Sequence, residues 1–196
     1  ALKARPFEQT AFATRQALLS PLFTPQALSA AVSRADAPMV EAYRDLVLAE
    51  VRVELLATGN LSDEDVEALR SILRDELPLA NEVTRARPSV ADLRMASDGT
   101  LRRWDVDHED ASITWYVQGR DDTLRERALF GLLGQMLRPA YFDDLRTERQ
   151  LGYVVGASAY PLEGVPGLRF IVQSSRAGAG EIARLTSEFV ERFGRE

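Results

Sequence analysis

Apolar residues along this chain switch between a helical and a strand period, and that alternation most constrains the fold. Ser62-Asp63-Glu64-Asp65 reads as a capping box, with Leu61 and Val66 placed for a hydrophobic staple. Val66, Leu69, Leu73 and Leu77 follow at helical spacing, and Pro78 ends the run. Ile113, Trp115 and Val117 instead alternate with Thr114, Tyr116 and Gln118, the mark of a strand with one wet face. The same alternation predicts strands at 51–55, around Trp104 and Val106, at 152–160 and at 167–175. The runs at 104–106 and 113–117 flank the acidic turn His108-Glu109-Asp110 and predict an antiparallel pair.

Helices are predicted between these strands. The first thirty or so residues carry Phe7, Ala11, Phe12, Leu18 and Leu19 at helical spacing, broken at Pro21, with Thr24-Pro25 opening a second short helix. Met39, Tyr43, Leu46 and Val47 form another stripe. Asp122 is the expected cap of a helix burying Ala128, Leu129, Leu133, Met136 and Leu137, with Gly131 and Gly134 allowing close approach to a sheet. Pro139 is expected to break it, and a short helix to run to about Arg149. Ile182, Leu185, Phe189 and Phe193 share one face of the last helix. The resulting order predicts an α+β two-layer sandwich, its mainly antiparallel sheet covered by helices on one face and preceded by a helical hairpin. No strand is long and wholly apolar, which argues against a doubly wound parallel sheet.

Charge and residue counts narrow the chemistry. A net charge of −6 with interleaved signs lacks the basic footprint of a nucleic-acid binder. No window approaches the ~18 apolar residues of a membrane span, so no membrane partner is expected. The absence of cysteine removes disulfides and thiolate metal sites and is compatible with a periplasmic or a cytoplasmic location. There is a single histidine, His108, whereas a catalytic zinc site usually takes two or three imidazoles. The acids around it, Asp105, Asp107, Glu109 and Asp110, make either a metal or general-base cluster or a plain solvated turn, and the turn is the favoured reading. Gly178-Ala179-Gly180 lacks the lysine and hydroxyl of a phosphate loop and reads as a helix entry. Without an initiator Met or an apolar leader, the chain is expected to be part of a longer protein.

Residues 141–155 carry the most specific chemistry. A helix end bearing Arg146 runs into Gly152 and then a strand starting at Tyr153. The guanidinium and phenol either converge as donors to a carbonyl oxygen or its anion, or serve structure, with Arg146 paired to Asp143 or Glu148 and Tyr153 packed.

The run Leu145-Arg-Thr-Glu-Arg-Gln-Leu-Gly-Tyr-Val-Val155 resembles a hallmark of the insulinase or pitrilysin family of zinc metallopeptidases. Leu132 to Pro139 leading into Phe142, Gly167 to Ser174, Arg5 to Gln9 and Thr58 to Leu61 are similar to that family as well. The resemblance implies a two-half peptidase whose zinc, held by an H-x-x-E-H helix, lies in the N-terminal catalytic half. It implies that residues 1–35 end the third domain and that 36–196 form the fourth, C-terminal α/β domain. It further implies that Arg146 and Tyr153 reach across a chamber to a peptide substrate, supporting the scissile carbonyl and the oxyanion. No residue here would bind the metal, so the isolated chain is expected to be inactive. Glu148-Arg149 departs from the family's usual pair at those positions. A non-catalytic, partner-binding relative is the alternative.

Overall fold

The computed structural model describes residues 5–49, 51–79, 88–95 and 101–195. They fall into two compact units, Ala1–Leu22 with Pro88–Glu196, and Phe23–Arg87. The smaller unit holds α2 (Pro25–Val32), α3 (Ala37–Leu48) and α4 (Asp63–Glu76). The caps fall where the sequence puts them: Thr24 Oγ1 accepts from Ala27 N, and Ser62 and Asp65 close a reciprocal box.

The larger unit contains α1 (Pro6–Leu18) and β1 (Leu19–Ser20), which pairs antiparallel with β2 (Ser89–Val90). Its main sheet is built from β3 (Ala111–Gln118), β4 (Val154–Ala159) and β5 (Gly167–Ser174), all antiparallel in the order β3-β5-β4. α5 (Leu124–Phe142) and α6 (Ala179–Phe193) complete the unit. This is the α+β arrangement expected, with an antiparallel sheet and helices packed on it.

Alternation along the central strand sorts the sheet into two faces. Leu168, Phe170 and Val172 of β5 join Ala157, Leu137, Tyr141, Ile182, Leu185 and Phe189 in one buried cluster under α5 and α6. Tyr141 lies edge-on between Phe170 and Phe189, with ring centroids 5.2 and 5.1 Å away. α1 meets the opposite face through polar contacts: Thr10 Oγ1 lies 3.3 Å from Ser112 Oγ and accepts from Thr114 Oγ1 at 3.0 Å.

Several expectations are corrected. Residues 52–58 take no regular structure, and among the described residues Val51 makes only an isolated bridge to Leu79. Residues 101–106 are also irregular: β3 pairs with β5, whose eight-residue run offers a longer apolar register than Trp104 and Val106. Pro139 lies inside α5, since burial of Tyr141 and Leu145 on the following turn outweighs the lost N–H. α5 is capped by Thr123, not Asp122, and its buried positions are Gly134, Leu137 and Tyr141. Leu129, Leu133 and Met136, expected inside, are exposed. Gly134 does permit the expected close approach, because a Cβ there would sit 2.5 Å from Ala159 N, whereas Gly131 has open space around it.

Tyr116 carries a prediction. Its hydroxyl is buried with no hydrogen-bond partner among the described residues, and burial, then the neighbouring Tyr160 phenol, push its pKa up to about 12. A folded-state pKa above the unfolded value of about 10 favours folding only while the phenol stays protonated. That contribution is complete below about pH 10 and disappears as pH climbs through 12. Tyr116→Phe, which also removes an unpaired hydroxyl, should be neutral or slightly stabilising at pH 7 and should flatten the loss of stability from pH 10 to 12. Thermal melts of both proteins across that range check it.

Candidate functional site

Arg146 and Tyr153 reach the surface through an unusual helix ending. After α5 the backbone widens into a π-helical segment, Asp143–Glu148, closed by Arg149 N donating to Asp144 O at 3.0 Å. Leu145 points into the core, fully buried, and Arg146 beside it is exposed. Asp144 is buried and accepts from Arg149 Nε at 3.0 Å and from Arg192 Nη2 of α6 at 2.8 Å. This two-armed brace pins the π segment to the last helix through Arg149 and Arg192.

The chain then turns back toward the sheet. Gln150 takes a left-handed φ of 52°, and Leu151 N donates to Leu145 O at 3.0 Å. Gly152 passes so close to β5 that a Cβ would lie 1.9 Å from Gln173 O. The buried Ser174 hydroxyl donates to Leu151 O and accepts from the N–H groups of Arg176 and Ala177 at 3.0 and 2.9 Å. The Gln173 backbone and the Ser174 hydroxyl of β5 thus clamp the segment immediately before Tyr153.

Both side chains line one open cleft of about 540 Å³, together with Phe142, Thr147, Gln150 and Arg176. Arg146 Nη1 donates to Gly152 O, and among the described residues Arg146 makes no ion pair with Asp143 or Glu148. Its other N–H groups remain for a ligand. Tyr153 is 53% exposed. In a chain of net charge −6, the side chains lining this cleft include two arginines and no carboxylate.

His108 stands in an exposed turn, its Nδ1 accepting from Asp110 N at 2.9 Å. Among the described residues no three His, Asp or Glu side chains come together as a metal cluster. Asp110 has another role: its Oδ2 accepts from Tyr153 Oη at 3.3 Å and from Gln173 Nε2 at 2.7 Å. Sequence reasoning missed Gln173. It stands on β5 where alternation alone reads a polar, wet-face residue, and only the placement of α1 over that face buries it.

Residues 132–196 match the family model described as PQQ synthase PqqF-like, C-terminal lobe domain 4. Over 183 residues the chain is 24% identical to insulin-degrading enzyme of Homo sapiens, covering 88% of this chain and 18% of that protein. Over 174 residues it is 26% identical to protease 3 of Escherichia coli strain K12, again covering 88% of this chain and 18% of the relative. A crystal structure of pitrilysin superposes with a TM-score of 0.67 at 20% identity, over 97% of this chain and 23% of the other, a likeness of fold. The chain therefore spans less than a quarter of the length of these proteins.

Proposed function

We propose that this chain, a homologue of the C-terminal portion of insulinase/pitrilysin-family peptidases, forms a substrate-enclosing wall in a longer zinc metalloendopeptidase. In this reading Arg146 and Tyr153 donate hydrogen bonds to the scissile carbonyl and to the oxyanion it becomes. The observation that supports it is that both side chains line one open cleft, with the Asp110 carboxylate held against the Tyr153 phenol beside it. Fixed donors aimed at developing negative charge act on the transition state more than on the bound peptide.

The metal belongs to the N-terminal catalytic half, and the wall described here supplies orientation and charge stabilisation. In this reading residues 1–35 end the third domain and 36–196 make up the fourth. A purely partner-binding relative has no use for two donors on one cleft.

The test is the double variant Arg146→Ala/Tyr153→Phe in the longer protein. Removing a single oxyanion donor typically costs about 2.7–4 kcal/mol, so kcat/KM for a peptide should fall by at least a hundredfold, about 2.7 kcal/mol, with bound zinc unchanged. A double variant cleaving at the full rate refutes the assignment.

A further inference from the structure

We propose that Gln173 is a positioning residue for Tyr153, fixing the phenol oxygen at the cleft while leaving its proton free to move to a substrate oxygen. The inference rests on the peptidase reading for its catalytic consequence, but the geometry behind it does not.

Gln173 is fully buried on the central strand, and its hydrogen bonds leave no ambiguity in the orientation of its amide. Phe7 N, in the first turn of α1, donates to Gln173 Oε1 at 3.2 Å, so the oxygen faces the helix and the NH₂ faces the site. That NH₂ donates to Tyr153 Oη at 2.6 Å and to Asp110 Oδ2 at 2.7 Å. With Nε2 acting as donor, the phenol oxygen must accept, and its own proton turns to Asp110 across a longer 3.3 Å contact. The oxygen is held by the short bond and the proton by the long one. A carbonyl oxygen entering the cleft then has only the weaker contact to displace, and the phenol donates to it without moving its oxygen. Truncating a buried amide with three partners also leaves Phe7 N–H and Asp110 short of a partner, so loss of packing must be separated from loss of positioning.

A double-mutant cycle in the longer peptidase makes that separation. Gln173→Met should lower kcat/KM roughly tenfold in the native background, chiefly through kcat, and have little further effect when Tyr153 is already Phe. An equal fall in both backgrounds assigns Gln173 to structure and overturns the proposal. The second readout is the ¹⁹F resonance of 3-fluorotyrosine placed at position 153 of the same protein. It should shift or broaden in Gln173→Met, and an unmoved resonance overturns the proposal whatever the kinetics show. If Tyr153→Phe cleaves at the native rate, the peptidase reading fails, and the resonance alone decides whether Gln173 orients the phenol. Should Gln173→Met not fold, Gln173→Glu keeps the side-chain length and an acceptor for Phe7 N–H but removes the donor, and the same outcomes are read from it.

Discussion

Gly152→Ala should lower the stability of this protein by about 3 kcal/mol, at the upper end of the cost of forcing extra atoms into a packed site. The added methyl group would stand 1.9 Å from Gln173 O, 3.0 Å from Gln173 C and 3.1 Å from the Cα of Ser174. All three are backbone atoms of the central strand, paired on both sides: Gln173 opposes Ser112 on β3 and Val154 on β4. No side-chain rotation relieves the clash, so either the 150–153 segment lifts away or the sheet edge opens. At roughly 2–4 °C per kcal/mol for a protein of this size, the melting midpoint should drop by about 6–12 °C. Gly180→Ala is the control. It lies in the first turn of α6 with nothing within 4 Å of a Cβ and should be neutral or slightly stabilising. Because Tyr153 directly follows Gly152, the peptidase activity proposed for the longer protein should also fall in this variant, even well below its melting midpoint.

Phe170→Ala should cost about 3–5 kcal/mol. Phe170 is 1% exposed at the middle of the central strand, and it is the ring against which Tyr141 is set edge-on. Tyr141 cannot follow it into the gap, because Phe189 flanks its other side and its hydroxyl lies 2.8 Å from Thr186 Oγ1. A site that cannot collapse keeps its cavity, and cavity volume sets the upper part of that range. Urea denaturation should show a lower midpoint with an unchanged slope.

Much of this architecture is legible in the residues themselves. Thr24, Ser62 and the stripe Ile182–Leu185–Phe189 announce their helices because caps and apolar periodicity are local physics. Strand partnership is not local. Val53 and Leu55 alternate as well as Ile113 and Trp115 do, yet among the described residues only the second pair finds a neighbour to complete its ladder. Pro139 misleads for a related reason: a rule about an isolated helix yields to the burial of Tyr141 and Leu145 beyond it. At the candidate site, spacing alone leaves Arg146 and Tyr153 open between donors and structural residues, and it is the family resemblance that singles them out. Asp110 and Gln173, 63 residues apart, become neighbours only through the pairing of β3 with β5.

The wide turn at Asp143–Glu148 makes the spacing of this region as important as its composition. Each residue of an ordinary helix advances about 100° around the axis. The wide turn takes up one extra residue, so deleting one amino acid between positions 143 and 148 would restore regular winding while later side chains kept roughly their present facing. Within that turn Asp144 braces two arginines, Leu145 fills the interior and Arg146 reaches the cleft, so neither the identity of these three residues nor their number is free to change.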